Sequence, residues 1–308
     1  MEISFKEAFT FMFKDEKFKS KYIIGSLFCL LFVISMGLYL DKAGEFFSFM
    51  SSDFYNQLNS TSQSSEVPVE FLTFYAGMML CSLFMFIGSF VMLFSVGYCI
   101  EYAKQKISTD YDELPEWKGN YGKMFLNGLK MYGGVLLFTF SFGILFEIIM
   151  LILFVILGVI TAILIALFSS ASEAAIGILI LIMAIIAFVI LLLLMFGFSM
   201  FYNIANASFL VDANPLSFFN FKRMGAISKN NLSNMFAITL AMIVCCIVFN
   251  IMLFLGVIYS FTTIYSILIM IFMFYFFLVF YNLLAQYTKI GMKKYLTRVE
   301  AEKQQQQG

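Results

Sequence analysis

Long apolar runs alternate with short polar segments along the whole chain. The first run, residues 22–40, has about the length that a helix needs to cross ~30 Å of hydrocarbon at ~1.5 Å per residue. The alternation predicts an all-α fold, a polytopic transmembrane helix bundle. The predicted spans are about 22–40, 71–100, 131–168, 176–210, 236–258 and 263–288.

Basic residues favour every second polar segment. Residues 1–21, 101–130, 212–234 and 289–308 contain all of the 19 Lys and Arg residues except Lys42. Basic segments stay on the cytoplasmic side during membrane insertion. The distribution therefore predicts six crossings of the cell (plasma) membrane, with the N- and C-termini both in the cytoplasm.

Composition agrees with a membrane protein. Hydrophobic residues make up 62% of the chain, charged residues make up 12%, and the mean hydropathy is +0.92. A soluble domain is usually about 45–50% apolar and roughly 25% charged. We therefore expect the lipid bilayer to surround a six-span domain at 22–288. An interfacial helix at 1–21 would precede it, and a basic tail at 289–308 would follow and fray at its low-complexity end.

An amphipathic pattern precedes the first span. Residues 3–18 place lysines on one helical stripe and apolar side chains on another, which is typical of a helix that lies in the membrane interface. The apolar stripe consists of Phe5, Phe9, Met12 and Phe13.

The loop 212–234 predicts a second interfacial helix. Asp212 or Asn214 can cap its start, and a proline suits the first turn. Apolar and basic residues follow at helical spacing, as expected for a basic amphipathic helix at a membrane surface. The candidate residues of this helix are Pro215, Phe219, Lys222 and Arg223.

The run 131–168 is too long for an ordinary span and leaves two interpretations. Two short spans would place the basic residues of 212–234 outside the cell, against the charge rule. We therefore favour one helix, tilted or kinked near Gly143 or Gly158. With the span 176–210 it would form an apolar hairpin that needs cover, from other helices of this chain, a second copy or another membrane protein.

The most distinctive stretch of the chain is DELPEWKGNYGKMFLNGLK, at 112–130. Pro115 stops any helix that continues from the second span. Trp117, the only tryptophan, favours the headgroup layer, which accommodates both its ring and its N–H. We expect a structural bracket on the cytoplasmic side, in preference to a ligand or partner site. Its candidate residues are Pro115, Trp117, Gly128 and Lys130.

This stretch resembles a signature of an uncharacterised prokaryotic membrane-protein family, the domain-of-unknown-function family four-zero-one-three. Two further stretches fit the plan of that family: EAFTFMFKDEKFKSKYIIGSL near the start and NPLSFFNFKRMGAISKNNLSNMF later in the chain. The resemblance implies a six-span protein, and it implies no reaction or substrate. The residues that match the signature are Leu114, Pro115, Trp117, Phe125, Gly128, Leu129 and Lys130.

Glu147 is the only acidic or basic residue inside a predicted span. A bare charge there costs at least ~2.5–3.5 kcal/mol, so one interpretation is a proton or cation site. The other is a structural residue that lies near the outer surface, or that hydrogen-bonds a polar neighbour such as Asn250. A polar patch at Asn203, Asn206 and Ser208 is better explained by hydrogen bonds between helices than by substrate binding.

The chain contains no histidine, which removes most zinc and non-haem iron chemistry and the usual base at neutral pH. The sequence has no phosphate-binding glycine loop, no nucleophile with a base and no paired carboxylates. We therefore expect no enzymatic activity, no cofactor and no metal, and no basic face predicts a nucleic-acid partner. The leading hypothesis is a non-enzymatic component that contacts other membrane proteins or lipids. The alternative is a small transporter or permease subunit that uses Glu147.

Overall fold

The computed structural model describes residues 3–52, 69–109, 113–167, 173–229, 231–258 and 263–307. Within these ranges the chain forms eight α-helices, two short 3-10 helices and no strand. The α-helices are α1 (Phe5–Thr10), α2 (Phe18–Ser52), α3 (Val69–Ser108), α4 (Tyr121–Leu167), α5 (Glu173–Asp212), α6 (Phe221–Ser228), α7 (Leu232–Ile258) and α8 (Thr263–Gln307). The 3-10 helices are Phe11–Lys14 and Pro215–Phe219.

Six of these helices are long and apolar enough to cross a membrane, namely α2, α3, α4, α5, α7 and α8. The predicted all-α fold with six spans is therefore confirmed, and the protein is a multi-pass membrane protein. The run 131–167 belongs to one helix, α4, as the charge rule favoured. Residues 289–307 of the predicted basic tail belong to α8. Residues 295–307 contain no proline and many good helix formers, which favours a helix there.

The chain divides into two compact units. Unit 1 contains Met1–Lys130 and Leu240–Ile290, and unit 2 contains Met131–Thr239 and Gly291–Gly308. Among the spans, α8 is the most buried, with 61% of its most apolar stretch inside the protein, whereas none of the corresponding stretch of α5 is buried.

Close helix packing holds unit 1 together. A Cβ at Gly88 of α3 would lie 2.7 Å from Cα of Phe32 in α2, so the two backbones are in direct contact there. Further along α3, a Cβ at Gly97 would lie 1.7 Å from the carbonyl oxygen of Met124 in α4. Small residues allow such approaches between helices in lipid. At these two positions α3 therefore packs against its neighbours through glycine.

The N-terminal segment packs on unit 1 through Met12 of the predicted apolar stripe and two residues outside that stripe. The buried residues are Ala8, Phe11 and Met12, while Phe13 is 61% exposed. The α-helix ends at Thr10 and the next turn is a 3-10 helix, which rotates the side chains away from the predicted stripe. Protein contacts, among them a stack of Phe11 on Tyr102 with ring centroids 4.6 Å apart, select the new face.

Unit 2 is built on the hairpin of α4 and α5. Phe138 lies 5.7 Å from Tyr202 and Phe146 lies 5.4 Å from Phe198, measured between ring centroids, so the two helices are antiparallel. The predicted turn at 169–175 falls mostly outside the described residues. Beyond these aromatic contacts, most side chains of α4 after Phe138 and of α5 before Phe201 are exposed or half-buried, whereas residues 203–210 at the C-terminal end of α5 are buried.

Candidate functional site

The loop between α3 and α4 is fixed to the N-terminal segment by a cluster of buried polar contacts in unit 1. Lys21 Nζ donates to Asp15 Oδ2 at 2.9 Å and to the Leu114 carbonyl oxygen at 2.7 Å. The N–H of Leu114 donates to the same Asp15 oxygen at 3.0 Å, and Trp117 Nε1 donates to the Lys21 carbonyl oxygen at 2.9 Å. We call these four residues, Asp15, Lys21, Leu114 and Trp117, the polar lock.

The polar lock stabilises the ionised form of Asp15. Burial by itself raises the pKa of this carboxyl, since it disfavours the charged form. Hydrogen bonds from Lys21 and from the backbone N–H groups of Lys17 and Leu114 act in the opposite direction and prevail, so the pKa of Asp15 lies below its usual value. Glu116 lies 3.2 Å from Lys21 Nζ on the exposed side. The buried ammonium group therefore has two carboxylate partners.

Trp117 lies inside the protein, with 2% of its surface exposed, whereas the sequence predicted the headgroup layer. Its indole stacks on Tyr98 at a centroid distance of 4.2 Å and an angle of 11°. The Tyr98 hydroxyl donates to the Pro115 carbonyl oxygen at 2.9 Å. The partner for the indole N–H is a backbone carbonyl of α2, so the lipid interface is not needed to satisfy it.

A tight turn leads from the polar lock into α4. Gly119 has a φ of +80°, which favours glycine, and the N–H of Asn120 donates to the Trp117 carbonyl oxygen. Gly128, about two turns into α4, faces Leu93 of α3, whose carbonyl oxygen would lie 2.1 Å from an added Cβ. Lys130 is half-buried on the same helix. Thus Pro115, Trp117 and Gly128 share one packed region of unit 1.

A second ionic contact joins α3 to the start of α4. The buried Glu101 carboxylate accepts from Lys123 Nζ at 2.5 Å and from Asn127 Nδ2 at 3.1 Å. Sequence reasoning missed Glu101, Asp15 and Tyr98, and it took Lys21 for a topology signal. The only signal was the presence of acidic residues inside strongly basic segments, where each one can pair with a neighbouring lysine.

A hollow of about 420 Å³ lies beside the polar lock. Charged residues of both signs line it, and Lys21 reaches it from the buried side. The remaining lining residues are Gln105, Thr109, Glu113, Leu114, Pro115 and Glu116. Because the Lys21 ammonium already contacts Asp15, Leu114 and Glu116, it is held as a structural cation.

In unit 2, the predicted interfacial helix is divided in two. Asn214 caps the 3-10 turn by accepting from the Leu216 N–H, and Pro215 occupies its first position. Asn220 then caps α6 by accepting from the Arg223 N–H. The second cap explains the break, because an asparagine that bonds the backbone two or three residues on starts a new helix.

The basic residues of this segment have separate roles. Arg223 Nη1 donates to Asp212 Oδ2 at 2.7 Å and to the Ser208 carbonyl oxygen at 3.3 Å, at the C-terminal end of α5, where a cation is favourable. Lys222 is exposed. Phe219 stacks on Phe142 of α4 at a centroid distance of 6.0 Å. The segment is thus anchored to the hairpin through one arginine and its phenylalanines.

The predicted polar patch of α5 is buried. Asn203 Nδ2 donates to Thr239 Oγ1 at 3.1 Å, and Asn206 Nδ2 donates to the Tyr202 carbonyl oxygen at 3.1 Å. Asn206 Oδ1 has no hydrogen-bond partner among the described residues. Ser208 Oγ likewise has no hydrogen-bond partner among the described residues, so bonding between and within helices accounts for the two amide nitrogens of the patch.

The two remaining candidates face outward. Asn250 Nδ2 donates to the Cys246 carbonyl oxygen at 2.8 Å, one turn earlier in its own helix, and the residue is exposed. Glu147 is exposed on α4, among outward-facing Leu and Ile side chains. No group of three or more potential metal ligands occurs among the residues that the structure describes.

Comparison with known proteins identifies a family. A family model described as "Protein of unknown function (DUF4013)" matches residues 80–258, from within α3 to the end of α7. The match includes the Pro-Glu-Trp stretch and the interfacial segment, and it does not include the N-terminal opening that also resembled the family. No curated protein and no solved structure matches the chain significantly. Because the match covers more than half of the 308 residues, the protein belongs to the DUF4013 family.

Proposed function

We propose that the protein is a non-enzymatic component of the plasma membrane that acts through lateral contacts of its α4–α5 hairpin with other membrane proteins. One observation carries the proposal. No residue is buried in the most apolar stretch of α5, and only 6% of the residues are buried in the most apolar stretch of α4. Two long helices with such exposed apolar stretches present a larger apolar patch than the few hundred Å² that soluble proteins expose. Lipid or protein must therefore cover this surface. A Cβ added at Gly158 or Gly177 of the hairpin would meet nothing within 4 Å, which leaves room for a helix to approach.

The interfacial segment supports a specific depth for the hairpin. Phe142 of α4 packs against Phe219 and Phe221, so the segment that begins at Pro215 lies level with Phe142. From Phe142 to the end of α4 at Leu167, about 25 residues rise roughly 37 Å, which fits ~30 Å of hydrocarbon with a modest tilt. The first part of α4 then lies in the interface and on its cytoplasmic side. This placement accounts for the excess length of the apolar run.

The same placement supports cytoplasmic termini. The interfacial segment contains Lys222, Arg223 and Lys229, and segments of this charge remain cytoplasmic. Reporters fused to the two ends of the chain test this orientation in intact cells. Both should be active only in the cytoplasm, and reporters on opposite faces of the membrane would overturn the six-span topology.

The ionic contacts support a non-enzymatic role. Four carboxylates outside the hairpin spans are held in pairs with cations: Asp15 with Lys21, Glu101 with Lys123, Glu7 with Lys106, and Asp212 with Arg223. A carboxylate that is paired in this way stabilises structure and is poorly placed to exchange protons with a substrate.

Photocrosslinking tests the lateral contact directly. A photoreactive amino acid is placed at Val155 of α4 or Leu181 of α5, and at Leu38 of α2 as a control of similar exposure. Irradiation of intact membranes should give a discrete protein adduct from the hairpin positions, of a size equal to a dimer of this chain or to one partner, and none from Leu38. Adducts with lipid alone at all three positions would contradict the proposal.

The alternative function, a small transporter or permease subunit, is favoured by Glu147 alone. Intramembrane carboxylates mark proton and ion pathways. The exposed position of Glu147 and its place about 8 Å beyond Phe142, at ~1.5 Å per residue, support instead a carboxylate that reaches the headgroup layer. Proton flux into liposomes distinguishes the two: a flux that Glu147→Gln abolishes and Glu147→Asp retains would establish the transporter.

A further inference from the structure

Unit 1 has an apolar groove of about 460 Å³ on the surface of α8, a volume in the ~300–1,000 Å³ range of pockets that hold small molecules. The groove lies between α8, the start of α2, one residue of α7 and the 3-10 turn of the N-terminal segment. Its lining is almost entirely apolar, although two tyrosines contribute to it. The lining residues on α8 are Leu268, Ile271, Phe272 and Tyr275.

The two tyrosine hydroxyls are used elsewhere, which explains the apolar lining. The Tyr22 hydroxyl donates to the Ile271 carbonyl oxygen at 2.5 Å, and the Tyr275 hydroxyl donates to the Phe9 carbonyl oxygen at 3.1 Å. The rings therefore present carbon to the groove. Met12 and Met252 complete the lining with flexible side chains, which adapt to a chain-like ligand better than rigid ones.

The groove runs along α8, one of the six candidate membrane spans, and two of its lining residues face outward. From Leu268 to Tyr275, α8 rises about 10 Å at ~1.5 Å per residue. Both Leu268 (52% exposed) and Ile271 (40% exposed) face outward in a helix that is otherwise the most buried span. A slot of this shape, apolar on all sides and long in the direction of the lipid tails, fits an extended alkyl chain.

Phe13 and Phe18 form one end of the groove, and their ring centroids lie 5.2 Å apart. A basic turn lies at this end. The turn between them carries Lys14 and Lys17, both exposed, and Glu16, also exposed. Lys17 contacts Glu116 only at 3.9 Å, between side chains that are 74% and 58% exposed, so an anion can replace that partner.

Asp15 lies in the same turn but contributes no negative charge to the surface. Its carboxylate is buried in the polar lock and bound to Lys21. The segment 14–19 therefore carries three exposed lysines, Lys14, Lys17 and Lys19, and one exposed carboxylate, Glu16. Lysines at this position attract anionic headgroups.

We propose that this groove binds one acyl chain of an anionic phospholipid, with the phosphate at Lys14 and Lys17. The chain fills the apolar slot along α8, and the basic turn selects the headgroup. The proposal is independent of the lateral contacts of the hairpin, because the groove lies entirely within unit 1.

Native mass spectrometry of the purified full-length protein tests the groove. Phosphatidylglycerol and phosphatidylcholine with identical acyl chains are added in turn, and bound lipid is counted. Leu268→Trp fills the slot and should reduce the fraction with bound phosphatidylglycerol about tenfold, whereas Ile267→Trp, on the neighbouring exposed position outside the groove, should leave it unchanged. Equal binding by the two variants would overturn the proposal, as would a loss with both.

The headgroup is tested separately. Lys14→Gln and Lys17→Gln should each lower the affinity for phosphatidylglycerol roughly fivefold, the equivalent of about 1 kcal/mol, with a smaller change for phosphatidylcholine, whose choline cation offsets the phosphate charge. Lys118→Gln, on an exposed lysine outside the groove, is the control. If wild-type protein binds the two lipids equally, or if the control variant lowers affinity as much as the others, the assignment of the phosphate to this turn is wrong.

Discussion

The polar lock of unit 1 and the α4–α5 hairpin of unit 2 are held in place by different forces. In the polar lock, side chains from three parts of the chain satisfy one another inside the protein, and Trp117 is almost wholly buried. In the hairpin, most side chains between Phe138 and the end of α4, and between the start of α5 and Phe201, are exposed or half-buried, and the backbone hydrogen bonds of each helix are formed within that helix. The first region depends on specific partners, and the second depends on lipid as its solvent.

This difference predicts where the protein tolerates change. Removal of one partner from a buried polar contact leaves the other partner buried without its hydrogen bond or its opposite charge. An apolar side chain that faces lipid leaves neither a cavity nor an unpaired group when it is shortened. Substitutions of the same chemical size should therefore have large effects in the polar lock and small effects in the hairpin.

The largest effect is expected for Asp15→Ala. It leaves the buried Lys21 ammonium with Glu116 as its one remaining carboxylate partner among the described residues, so we expect about 3 kcal/mol of destabilisation, the lower end of the ~3–5 kcal/mol for a broken buried pair. Thermal unfolding in detergent measures it. Glu45→Ala removes the exposed Lys42–Glu45 pair and should cost less than ~1 kcal/mol. Equal shifts for both variants would show that the polar lock contributes no more than a surface pair.

Gly97→Ala should be next. Its Cβ would lie 1.7 Å from the Met124 carbonyl oxygen, so the α3 and α4 backbones must separate, at a cost of about 2 kcal/mol or more. Gly158→Ala, on the open face of the hairpin, meets nothing within 4 Å and should be neutral or stabilising by up to ~1 kcal/mol. The ratio of folded to aggregated protein after heating, read by size-exclusion chromatography, compares them. A neutral Gly97→Ala would contradict the packing at this crossing.

A smaller effect is expected from acid. The pKa of Asp15 is lower in the folded protein than its usual 3.8. The stability that this carboxylate contributes is therefore fully present above about pH 4 and is lost as the pH falls through the lowered folded value. Melting temperatures followed by circular dichroism from pH 7 to pH 2.5 should decline only below about pH 4, and this component should be missing in Asp15→Asn. A decline that begins above about pH 5 and persists in Asp15→Asn would have another source.

The smallest effect is expected for Leu193→Ala in the hairpin, where the side chain is 66% exposed. We expect a change within about 0.5 kcal/mol, against about 2 kcal/mol for Leu284→Ala, the lower end for a Leu→Ala change at a fully buried site such as this one in α8. Thermal unfolding of the two variants provides the measurement. A loss at Leu193 as large as that at Leu284 would show that the hairpin surface is covered within the isolated protein.

The sequence predicted the six spans because length and apolar character suffice to specify a transmembrane helix. The family was also recognised, since the Pro-Glu-Trp stretch is distinctive. The polar lock was not predicted, because its contacts join residues far apart: Lys21 and Leu114 are separated by 93 positions, and Asp15 and Leu114 by 99. A lysine that positions a membrane span and a lysine that occupies a buried site look alike in a single sequence. The burial of Phe11 was not predicted for a related reason, since a switch from α to 3-10 geometry after Thr10 cannot be recognised from the spacing of apolar residues.

Trp117 is the only tryptophan among the 308 residues, and it lies at the point where the N-terminal segment, α2, α3 and the loop meet. The protein thus carries a single tryptophan fluorophore, and it lies inside this buried junction. Shielding from water and stacking on Tyr98 should give a blue-shifted, partly quenched emission, and any opening of the loop should brighten it and move it to the red. Fluorescence of unlabelled protein in vesicles would then report, in real time, whether a lipid or a protein partner disturbs this one junction.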